Sequence, residues 1–97
     1  METIFLPLQR IIILQGIEAQ SGRELSNEMI QRLLKTRGRR VSIAETNEQI
    51  NRLENRGSVK AVRMGDSGFV NARITRAGID VAQGNTRAEG IEPPPGD

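Results

Sequence analysis

The stretch RGRRVSIAETNEQINRLENRG, residues 37–57, constrains the fold more than any other part of the chain. Gly38 and Gly57 bound it, and glycine most readily takes the left-handed conformation that stops a helix. Inside it, Ser42-Ile43-Ala44-Glu45 has the S-x-x-E spacing of a capping box, in which the serine and glutamate side chains satisfy each other's backbone N–H groups. Val41 stands before the box as a staple residue. Thr46, Ile50 and Leu53 then recur at i, i+4 and i+7, a narrow inward stripe that predicts a helix over 42–56. Only Gly38–Val41 separate its start from whatever precedes it.

What precedes it reads as another helix, 26–37. Met29, Ile30, Leu33 and Leu34 share one face, Ser26 or Asn27 can cap the start, and Lys35 and Arg37 suit the negative C-terminal end. A first helix, 7–20, opens with Pro7 at a position where a missing N–H costs nothing. Its apolar residues Leu8, Ile11, Ile12, Ile13, Leu14 and Ile17 cover more than one stripe. A helix that apolar is buried on more than one side, and in a chain of 97 residues the second side is expected to be another subunit, met through Leu8, Ile12 and Ile13.

After Gly57 the pattern changes. Residues 58–64 and 69–74 are β-prone runs separated by Gly65-Asp66-Ser67-Gly68, which predicts a hairpin over 58–74. That turn could be taken for an anion-binding loop, but it does not lead from a strand into a helix as a phosphate cradle requires. Thr75 can cap a short helix over 75–83. Residues 85–97 carry almost no apolar content and include a proline run, Pro93–Pro95, so they read as a flexible tail.

The expected fold is mainly α with a small β-hairpin (α+β), a winged helix-turn-helix domain over residues 1–84. In such an arrangement the second helix of the pair reads the DNA major groove and the hairpin is the wing. Arg40-Val41-Ser42, Leu53 to Gly57, Thr75 to Gly84 and the prolines at 93–95 also resemble a small winged-helix family of Mu-like transposable phages and prophages. That resemblance spans nearly the whole chain through loose motifs, and it implies the fold and a phage origin without supplying an activity.

The chain has neither cysteine nor histidine, which excludes disulfides and any Cys/His zinc site and removes the commonest general base. No acid, base and nucleophile converge in the sequence: Ser21 and Ser42 read as loop and cap residues. No catalytic residue, metal site or cofactor is expected. Residues 2–8 lack the features of a signal peptide, and the apolar run at 11–14 is far too short to span a bilayer, so the expected location is cytoplasmic.

Net charge is +2, unevenly spread: residues 21–40 carry +4 and 57–76 carry +3, while 41–56 between them carry −1. Two basic segments bracketing a polar helix suit double-stranded DNA. Arg39 and Arg40, with Lys35 and Arg37 behind them, are expected to contact phosphate, and Lys60, Arg63 and Arg73 on the hairpin to support them. Ser42, Ile43, Asn47, Asn51 and Arg52 are the expected base readers, with Gln49 and Glu45 also on the exposed side. Glu48 and Glu54 oppose this reading. The competing expectation is a winged-helix adaptor that binds a protein partner instead of DNA.

Overall fold

The computed structural model describes residues 5–94. Four helices and three short strands follow in the order α1 (Phe5–Glu18), β1 (Glu24–Ser26), α2 (Asn27–Thr36), α3 (Ile43–Asn55), β2 (Val59–Arg63), β3 (Val70–Ile74) and α4 (Arg76–Ala82). The strands form one antiparallel sheet in the order β1-β3-β2. The hairpin was legible in the sequence, whereas the pairing of the short piece before α2 with β3 was not.

Local chemistry sets the element ends. Ser26, Ser42 and Thr75 cap α2, α3 and α4 through side-chain oxygens that accept from Met29, Glu45 and Gly78 N–H groups. The reciprocal bond from Ser42 N–H to Glu45 Oε1 completes the capping box at 3.0 Å. At the other end of α2, Gly38 has φ +78 and donates to the Lys35 carbonyl at 3.0 Å, while Arg39 N–H reaches back to Leu34 at 2.9 Å. This double closure needs a left-handed residue, so it turns the chain toward α3 at the one position a glycine allows.

α1 begins at Phe5, two residues before the expected start. Pro7 is still in the first turn, whose N–H groups have no helical partner. The breadth of its apolar surface is met by its own chain: α2, α4 and β3 all pack on it. Ile11, Ile13, Leu14 and Ile17 join Ile30, Leu34, Ile50, Leu53, Val59, Ala72 and Ile74 in one core. Ile13 has no exposed surface, which corrects its assignment to a subunit interface, while Leu8 and Ile12 are half-buried against the same core. Met29 also departs from expectation: it is 48% exposed, and Ile30 and Leu34 are the apolar residues of α2 that are fully buried.

Residues 88–92 are not a detached tail. Ile91 is buried in the core, Glu92 N–H donates to the Pro7 carbonyl at 3.0 Å, and the Gly90 carbonyl accepts from Arg10 Nη1 at 2.8 Å. Ile91, with Ala88 packed beside the core, suffices in this polar stretch because a buried arginine supplies the hydrogen bond that anchors its neighbour. Pro95 and the residues after it, like Met1 to Ile4, lie outside the described residues.

Candidate nucleic-acid interface

α3 is two-sided. Thr46, Ile50 and Leu53 are buried as their spacing predicts, and Gln49 joins them at 4% exposed. Gln49 therefore leaves the reading face: its Oε1 accepts from Arg10 Nε at 2.7 Å, 39 residues away in sequence. Position 49 falls on the inward side of the helix, and a glutamine is tolerated there because it satisfies a buried cation. Ser42, Ile43, Asn51 and Arg52 are exposed and Asn47 is half-buried, so the expected readers lie along the outward side.

The three glutamates of α3 differ in their surroundings. Glu45 is held in the capping box, and the Ser42 backbone and hydroxyl keep its carboxyl below the ordinary value of 4.5. Glu54 turns toward the wing, where Oε2 accepts from Ala61 N–H at 3.1 Å and Oε1 from Arg63 Nη2 at 3.0 Å. First the Ala61 N–H and then the Arg63 guanidinium lower its pKa in turn. Glu48 sits 3.7 Å from Arg52 one helical turn on, with both side chains exposed.

The structure distributes the cations unevenly. Lys35 and Arg40 are exposed and line one shallow cleft of about 390 Å³ with Gln31, Arg32 and Val41. Gln31 Nε2 donates to the Val41 carbonyl at 2.9 Å, which ties α2 to the turn. Arg37 is exposed on the adjoining side of α2, and Arg39 is half-buried. Arg32 was missed in the sequence, although its i, i+3 spacing from Lys35 places both on one face. Arg63 donates to both Asn51 and Glu54, so it knits β2 to α3 instead of standing free for phosphate. Lys60 and Arg73 are register partners on the opposite face of the sheet from Ala61 and Arg63, and Arg73 pairs with Glu24 at 3.7 Å. The structure does not bring them together with the α3 readers.

At the start of α3, Ile43 and Asn47 border a shallow hollow of about 260 Å³ with Asn27, Glu28, Ser67, Gly68 and Phe69. The starts of both paired helices and the wing turn thus meet around one concave surface. No group of three or more acidic side chains is placed to hold a metal ion among the described residues, and none of their helices is long and apolar enough to cross a membrane.

No family model and no curated protein sequence matches the chain. Solved structures do. RosR of H. salinarum is similar over 87% of this chain and 74% of its own, with a TM-score of 0.68 and 19% identity. A complex structure of RosR gives a TM-score of 0.64 at 20% identity, covering 87% of this chain and 69% of that one. AbsC, a MarR family transcriptional regulator from Streptomyces coelicolor, is similar over 78% of this chain and 49% of its own, with a TM-score of 0.60 and 19% identity. Nothing among these supports the resemblance to Mu-like phages. At such identities the likeness speaks for the fold, and the fold of this chain is the winged helix-turn-helix.

Proposed function

We propose that the chain is a double-stranded DNA-binding transcription regulator, with α3 in the major groove, the α2–α3 turn on the phosphate backbone and the β2–β3 wing beside it. The observation that carries this reading is the disposition of charge around α3. Glu45 and Glu54 are held in hydrogen bonds and Glu48 lies 3.7 Å from Arg52, while Ser42, Ile43, Asn47 and Asn51 line the outward side of the helix that follows the Lys35–Arg40 cleft. The winged-helix likeness to a MarR family transcriptional regulator supports it. A homodimer through Leu8 and Ile12, a cytoplasmic location and a phage origin belong to the same reading, the last resting on sequence resemblance alone.

Lys35→Glu combined with Arg40→Glu reverses two exposed cations of one cleft and tests the phosphate assignment. Binding to a duplex should weaken similarly for all sequences, and the slope of log affinity against log salt should shrink by about one unit per lost phosphate contact. An unchanged slope in a folded variant would remove these residues from the interface.

A second reading is favoured by the outer face of the wing, where Val62 and Met64 are both 57% exposed. That surface suits a protein-binding adaptor. Recovery of a protein partner that survives nuclease and moderate salt, by a chain that binds no duplex, would favour the adaptor.

A further inference from the structure

Asn27 is the first residue of α2, yet it is 1% exposed. Ser26 already caps α2 by accepting from Met29 N–H, and Asn27 spends only its oxygen on the helix start. Its nitrogen reaches elsewhere. Nδ2 donates to the Gly68 carbonyl at 2.9 Å in the wing turn and to Asn47 Oδ1 at 2.8 Å on α3, while Oδ1 accepts from Glu28 N–H at 3.0 Å. One side chain thereby joins the helix pair to the wing.

The chemistry fixes its orientation. A carbonyl can only accept, so Gly68 requires the N–H end of Asn27. The second N–H of that nitrogen then requires the oxygen of Asn47, which leaves Asn47 offering N–H donors to the hollow. An asparagine so held addresses acceptors on a base edge, such as guanine N7 and O6 or thymine O4, in preference to pairing bidentately with adenine.

We propose that Asn27 is a positioning residue for sequence recognition, holding Asn47 with its donor end outward and clamping the wing turn at Gly68 to the reading helix. This rests on the DNA-binding reading above. Non-specific affinity comes from cations and is untouched by Asn27, so its removal separates specificity from binding.

The test uses the full chain, a random-sequence duplex and a duplex selected by the wild-type protein from a randomised pool. Asn27→Ala should bind the random duplex as wild type does and lose about tenfold on the selected one, the scale of a single base contact. Asn47→Ala should lose as much, and the double variant no more than either, because the two amides act as one unit. Hydrogen exchange without DNA should quicken at residues 65–69 in Asn27→Ala. Should that variant fail to fold, Asn27→Asp keeps the volume, suits the positive end of the helix and still lacks the two donors. Additive losses, equal losses on both duplexes or unchanged exchange in the wing turn would overturn the proposal. A wild-type protein that binds no duplex overturns the DNA reading and this proposal with it, and is distinguished by wing exchange that still responds to Asn27→Ala.

Discussion

A β-carbon at Gly78 would collide with the carbonyl oxygen of Ser58, which already accepts from Thr75 N–H at 3.0 Å and is backbone that cannot swing aside. Glycine is therefore what lets α4 lie against the start of the hairpin. Gly78→Ala should cost about 1–3 kcal/mol, the range for overpacking a tight site, and lower the melting temperature by several degrees. Gly22→Ala, which meets only the Glu24 side chain at 3.9 Å, should leave it nearly unchanged. Equal melting temperatures for the two variants would mean that α4 has room the structure does not show. Ser42 and Glu45 were legible because a capping box is a local pattern. Asn27 and Gln49 were not, since their partners lie 20 to 41 residues away and no spacing rule announces a buried amide.

Among the elements, the segment after α4 changes most between sequence and structure. Ile91 sits in the core, and residues 90 and 92 are bonded to α1. Deleting residues 85–97 should cost about 2 kcal/mol, the scale of one buried Ile side chain, in chemical unfolding of an otherwise folded chain. A deletion with no effect on the unfolding midpoint would restore the flexible tail. The paired helices, the hairpin and α4 were readable from periodicity, caps and glycine stops. The partner of a helix face was not: the excess apolar surface of α1 says that something covers it, and only the fold shows that α2, α4 and β3 do so.

At the scale of the whole molecule, acid should loosen the start of α3 and its junction with the wing. Glu45 and Glu54 both titrate below 4.5 when folded, so their stabilisation is complete above the unfolded value and is lost as pH falls through the lowered folded values. Thermal stability should therefore decline as pH drops below about 4.5, and Glu54→Gln should flatten that decline. An unaltered pH profile in Glu54→Gln would show that the Ala61 and Arg63 bonds contribute little in solution. The same arrangement turns the Glu54 carboxylate from the outward side of α3 toward the wing, which a net charge of −1 over residues 41–56 does not reveal. The central claim is that this surface meets DNA. Fluorescence anisotropy of a labelled random-sequence duplex, titrated with the chain from about 50 to about 200 mM salt, tests it most directly. Affinity that falls steeply and linearly on a log–log plot is the predicted result, and no binding at the lowest salt would contradict the claim.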